Sequence, residues 1–138
     1  MAMRSLWWTA VLLLTLIACT CTQNARYQRF LQQHVDYPKT RYPNNARYCQ
    51  AMLVRRRVNI RGICKPTNTF VHTRASNLRT ICTNQPDGAL RGTRRRFPVT
   101  VCRLIRSRPT CTYTGRQFNH RVRVNCERGF PVHLSTTY

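Results

Sequence analysis

The eight cysteines of this chain fall into two unequal groups. Cys19 and Cys21 lie together near the start, whereas Cys49, Cys64, Cys82, Cys102, Cys111 and Cys126 are spread through the body. The first group borders a leader-like stretch: Arg4 supplies a short basic region, residues 6–18 form an apolar run, and the chain then turns small and polar. That order is expected of a secretory signal peptide, and the run is shorter than the roughly 20 residues of a membrane-spanning helix. Cleavage after Thr22 leaves six cysteines; cleavage after Thr20 leaves an odd thiol prone to wrong pairing. The expected division is a signal peptide at 1–22 and one domain at 23–138.

Six cysteines in an oxidising compartment predict three disulfides, with many connectivities open on spacing alone. Each would close a long loop and contribute on the order of 2–4 kcal/mol. That matters for a small chain of formal charge +21. No C-x-x-C pair or close Cys/His cluster is present, so neither a metal nor a cofactor is expected.

The charge comes from 24 Lys and Arg against 3 Asp and Glu, and only Lys39 and Lys65 are lysines. Arginine forks bind phosphate bidentately. The partner is therefore expected to be a polyanion: nucleic acid, an anionic membrane or an acidic glycan. A hydrophobic fraction of 42% supplies a core and argues against disorder.

Apolar spacing predicts a helix over 25–35, with Phe30 and His34 on one side, and a second one capped by Asn45 with Tyr48, Cys49, Met52 and Leu53 inward. A third is predicted over 76–82. Strands are predicted over 69–73, 97–105, 111–113, 118–125 and 131–134, with Asn84-Gln85-Pro86-Asp87-Gly88 turn-rich. Arg121-Val122-Arg123-Val124 alternates, which predicts one buried face and one strongly cationic face. The class is α+β, helices first and an antiparallel sheet after.

Asp36, Asp87 and Glu127 are too few and too scattered for paired-carboxylate chemistry. Four histidines remain, His34, His72, His120 and His133. Two imidazoles, one taking and one giving a proton, suit a phosphodiester whose own 2'-hydroxyl is the nucleophile. A cation must then stand beside the phosphorus-bound oxygens, and Lys65 is a candidate. His72 is expected to be a buried, hydrogen-bonded histidine, and His120 a solvated loop residue with no role.

The segments Gln33-His34-Val35-Asp36, Cys64-Lys65-Pro66-Thr67-Asn68-Thr69-Phe70-Val71-His72 and Pro131-Val132-His133-Leu134 together resemble the three signature stretches of the pancreatic-type ribonuclease superfamily. The likeness spans 23–138. The six-cysteine pattern is similar to its angiogenin-like and non-mammalian leukocyte branch, an avian leukocyte ribonuclease above all. The resemblance implies three helices packed on a long bent antiparallel sheet, with Cys49 bonded to Cys102, Cys64 to Cys111 and Cys82 to Cys126. It implies His34 as general base, His133 as general acid and Lys65 as transition-state stabiliser, with Gln33 and the main chain near His133 holding the phosphate. Thr69 would read a pyrimidine, Asn68 would support the site, and Leu134 would join the substrate-binding residues. Two departures stand out: Ser135 replaces an acid that orients the second histidine in the family, and Thr136 replaces an obstructing glutamine of angiogenin. The first predicts reduced turnover, the second a more open base pocket.

Arg55-Arg56-Arg57 with Arg61, and Arg94-Arg95-Arg96 with Arg91, are denser than a substrate groove requires. They predict a solvated cationic face for RNA backbone, anionic bacterial envelopes or cell-surface glycans. Residues 52–57 also resemble a nuclear-targeting segment of the family. The resulting expectation is a secreted, monomeric, metal-independent endoribonuclease cleaving 3' of pyrimidines, with bactericidal or angiogenic activity. A ribonuclease inhibitor is a further partner, and leukocyte granules or nuclear entry after uptake are further locations. The alternative is a membrane-active antimicrobial protein or angiogenic ligand that uses the fold as a scaffold.

Overall fold

The computed structural model describes residues 8–12 and 25–138. Most of the expected signal peptide, with Cys19 and Cys21, lies outside the described residues. Helix α1 covers 25–34 and buries Tyr27, Phe30 and His34, a spacing that follows one helical face. Helix α2, Asn45–Arg55, buries Tyr48, Cys49, Met52 and Leu53. Its cap is Asn44, whose side chain accepts the Arg47 N–H, and not the expected Asn45. Asn45 is the first helical residue, and its side chain takes the Lys39 ammonium instead, 2.8 Å away. Helix α3 runs Ala75–Arg79 and tightens into a 3-10 turn at Thr80–Cys82.

Six strands follow: β1 Thr67–Val71, β2 Leu90–Gly92, β3 Phe97–Arg106, β4 Thr112–His120, β5 Val122–Glu127 and β6 Phe130–Thr137. They pair as β1-β3-β4 and β2-β5-β6, all antiparallel. Only Arg121 separates β4 from β5, so the two sheets meet end to end there. The division expected between 113 and 118 does not exist, because Val99 to Arg103 of β3 pair continuously with that stretch. Strand β2, where the sequence predicted no strand, is held by β5.

Neighbouring residues of β1 point into different cores. Phe70 packs with Tyr48, Met52, Leu53 and Tyr113 beneath α2. Val71 packs with Tyr27, Phe30, Leu78, Val99 and Val124 beneath α1 and α3. Each fully buried large side chain contributes roughly 1.5–3 kcal/mol. Helix α2 lies so close on β4 that a Cβ at Gly115 would collide with the Asn45 main chain. Disulfides Cys49–Cys102, Cys64–Cys111 and Cys82–Cys126 tie α2 to β3, the approach to β1 to that of β4, and the 3-10 turn to β5. On β5 the buried side is Val122, Val124 and Cys126, but the outer side is Arg123, Asn125 and Glu127, less cationic than the alternation implied.

Candidate active site

Five elements line one cleft of about 760 Å³: α1, the start of β1, parts of β3 and β4, and the length of β6. Gln33, His34, Lys65, Asn68, Thr69, His133 and Leu134 all line it. Every side chain that the sequence proposed for catalysis or substrate binding thus meets in one place.

His34 is buried, 8% exposed, with its Nδ1 2.9 Å from the Thr69 main-chain oxygen. A carbonyl only accepts, so Nδ1 carries the hydrogen, and in the neutral ring Nε2 keeps a lone pair. Burial pushes the imidazole down from 6.5 to about 4; the Thr69 bond opposes the shift, while the charges of Lys65 and His133 add to it. His34 is therefore neutral near pH 6 and able to accept a proton at Nε2.

Lys65 is half-buried, its ammonium donating to Asn68 Oδ1 at 2.9 Å. Asn68, 2% exposed, donates in turn to the Gln33 main-chain oxygen at 3.0 Å. Burial, and then Arg29, lower the lysine pKa. His133 is exposed on β6, opposite Asn125 of β5. Ser135 is the residue left without a partner where the β5–β6 register shifts, and among the described residues it makes no hydrogen bond to His133. The orienting hydroxyl that the sequence suggested is not in use.

Asp36 has a structural occupation. It accepts from Tyr48 Oη at 2.6 Å, from the Thr40 N–H and hydroxyl at 2.9 Å each, and from Arg56 at 3.1 Å. Burial raises its pKa, but these donors outweigh that and leave it below the usual value. His72 is buried with Nδ1 on the Asp36 main-chain oxygen and Nε2 on Thr100 Oγ1, the structural role expected of it.

Two expectations need correction. Arg56 does not belong to a solvated cationic face: its Nη1 donates to the Leu31, Gln32 and Val35 carbonyls at 3.4, 3.0 and 2.8 Å, and its Nη2 to Asp36. A guanidinium is drawn there because the last carbonyls of α1 lack helical partners. Of its neighbours, Arg55 leans on Tyr42 Oη at 3.0 Å, while Arg57, Arg61, Arg94, Arg95 and Arg96 are exposed. Arg91, Arg94 and Arg95 line a separate surface groove.

His120 is not a solvated loop residue either. It ends β4, lines the cleft, and stacks on Phe118 with ring centroids 4.8 Å apart. Sequence reasoning missed Phe118, His120, Arg29 and Arg103 in the cleft; the alternation of Arg116, Phe118 and His120 was the available signal. Arg26 also lines it, but is paired with Glu127.

A family model described as pancreatic ribonuclease matches residues 25–135. Angiogenin of Gallus gallus is 60% identical over 138 residues, covering 100% of this chain and 99% of its own length. Ribonuclease CL2 of Gallus gallus is 46% identical over 117 residues, covering 82% and 97%. Green turtle egg white ribonuclease, a solved structure, aligns with a TM-score of 0.74 at 42% identity over 82% of this chain and 98% of the turtle chain.

Proposed function

This chain belongs to the pancreatic ribonuclease family, and we propose that it is secreted after loss of residues 1–22 and cleaves RNA 3' of pyrimidines without a metal. The observation that carries this reading is the pinned imidazole: His34, its Nδ1 hydrogen fixed on Thr69, presents an unprotonated Nε2 to the same cleft that holds His133 and Lys65.

In the first step His34 Nε2 takes the proton of the ribose 2'-hydroxyl as that oxygen bonds to phosphorus. His133, protonated, gives its proton to the departing 5'-oxygen. The products are a 2',3'-cyclic phosphate and a free 5'-hydroxyl. Hydrolysis of the cycle then reverses the roles: His133 takes a proton from water and His34 returns one to the 2'-oxygen. Lys65, held by Asn68, faces the negative charge that grows on the phosphorus-bound oxygens. Thr69 meets the pyrimidine with its main-chain N–H and a hydroxyl that both donates and accepts. The exposed arginines add phosphate contacts whose contribution falls with salt.

The test is cleavage of tRNA in excess EDTA. The wild-type protein cleaves; His34→Ala and His133→Ala each lose at least about a hundredfold in rate, the usual scale of proton-transfer catalysis. Absence of wild-type cleavage, or indifference to both substitutions, ends the proposal.

A second reading, membrane disruption, is favoured by one turn. Ile60 and Ile63 are 51% and 72% exposed on either side of Arg61-Gly62, both of which have positive φ. Apolar side chains beside Arg57 and Arg61 match an anionic bilayer surface. His133→Ala should still release dye from anionic vesicles, and Ile63→Asp should stop the release while sparing dinucleotide cleavage. Leakage that survives Ile63→Asp rejects this turn as the inserting element.

A further inference from the structure

The cleft is lined by two aromatic rings that the mechanism above does not use. Phe118 and His120 share a face of β4, their planes 16° from parallel. Across β3 they stand opposite Val99 and Phe97, both buried in the core, so the stack has a firm backing. His120 Nδ1 lies 3.3 Å from Thr137 Oγ1 of β6, across the junction of the two sheets. No other hydrogen bond to the ring is made among the described residues.

Its place along the cleft follows from β6. His133 stands near the phosphate position, and Thr137 is four residues further on, roughly 13 Å along a strand. With the phosphate between His34 and His133 and the base against Thr69, Thr137 and His120 remain in the same cleft as side chains for the ring edge farthest from the sugar. In a pyrimidine that edge carries the 4-substituent, an oxygen in uracil and an amino group in cytosine.

We infer that His120 is a specificity residue that reads the pyrimidine 4-substituent through Nε2, with Phe118 fixing the plane of its ring and Thr137 its tautomer. This rests on the ribonuclease reading above. A threonine hydroxyl both donates and accepts. When Thr137 donates to Nδ1, the hydrogen sits on Nε2 and meets the uracil oxygen; when it accepts from Nδ1, Nε2 accepts from the cytosine amino group. One ring thereby serves both pyrimidines and gives nothing to a base without a 4-substituent.

The test compares three dinucleoside phosphates with adenosine on the 3' side and uracil, cytosine or 2-pyrimidinone on the 5' side; the last lacks the 4-substituent. For the wild-type protein, kcat/KM on 2-pyrimidinone should be about tenfold below that on uracil, the scale of one hydrogen bond. His120→Phe keeps a ring to stack and removes both nitrogens. It should retain wild-type kcat/KM on 2-pyrimidinone and lose about tenfold on the other two. His120→Ala should also lose the discrimination. An equal loss on all three substrates assigns His120 to structure, and discrimination that survives in His120→Phe overturns the inference while leaving the ribonuclease reading intact. If the wild-type protein cleaves none of the three in EDTA, the ribonuclease reading fails and this inference falls with it.

Discussion

The imidazole of His34 hangs from the main-chain oxygen of Thr69, 2.9 Å away, so the proposed proton acceptor and the proposed base reader are joined by one hydrogen bond. The chain reinforces the link on either side: Val35 bridges to Val71, and the Asp36 N–H donates to the Val71 oxygen at 3.0 Å. A shift of β1 relative to α1 would therefore disturb base recognition and proton transfer together.

Burial of His34 governs the acid side of the activity profile. With its pKa lowered to about 4, the ring is unprotonated over most of the mildly acidic range. The acid limb of kcat/KM, which reports the free enzyme, should fall near pH 4 and not near 6.5. A pH–rate profile on a dinucleotide checks this, and a limb near 6.5 would show that burial does not control the base.

The same shift makes stability depend on pH. A histidine depressed in the native state leaves the unfolded chain holding more protons between about pH 4 and 6.5, so stability rises with pH across that window. Charging the buried His34 costs about 3 kcal/mol of stability, a penalty absent near neutrality that builds progressively as pH falls through the window. His72 is shifted in the same direction by burial and adds to the slope. Denaturant melts at several pH values should show the dependence weakened in His34→Leu.

Arg56 closes the C-terminal end of α1 and neutralises the buried Asp36. Arg56→Met retains the stem but takes the guanidinium donor from the Gln32 and Val35 carbonyls and the positive partner from the buried Asp36, at a cost of about 3 kcal/mol. The Arg57→Gln change, on an exposed side chain, should stay within about 0.5 kcal/mol. Thermal melts of the two variants separate them. Equal, small effects would mean that Arg56 is as solvated as its neighbours.

Much of this site was legible because it is local in sequence. Gln33 and His34 sit one helical turn past Phe30, and Lys65, Asn68 and Thr69 lie within one short stretch whose periodicity is visible. What could not be read is what depends on partners distant along the chain. Arg56 is indistinguishable in sequence from Arg55 and Arg57, and only the arrival of α1 behind α2 gives it carbonyls to bind. His120 fell inside the strand expected over 118–125 yet was given no role, because β4 is polar and half-exposed, with little apolar alternation to mark a face; its register in the sheet comes from pairing with β3. Strand β2 has three exposed residues and no core pattern at all.

Asn68 is buried between the Lys65 ammonium and the Gln33 main chain, and touches the proposed phosphate site only through them. Asn68→Ala leaves the ammonium unanchored and the Gln33 oxygen without its donor. The expected result is a fall in kcat of about tenfold or more with a smaller change in KM, since charge stabilisation in the transition state is lost more than ground-state binding. A change confined to KM would place Asn68 in substrate binding instead.

Ser135 stands two residues after His133, where an acid would orient the imidazole. His133 is exposed and unoriented by Ser135, which sits at the register shift of β6. A carboxylate at that position is longer than the hydroxyl and charged, so it can accept from the imidazole, hold one tautomer and favour the protonated ring. Ser135→Asp should therefore raise kcat several-fold, on the order of 3–10. It should also move the alkaline limb of the profile upward, because an adjacent negative charge makes the His133 proton harder to lose. Ser135→Asn supplies an amide oxygen without the charge and should recover part of kcat while leaving that limb in place. If both variants match the wild-type protein in rate and in profile, orientation of His133 does not limit turnover, and the serine is no handicap.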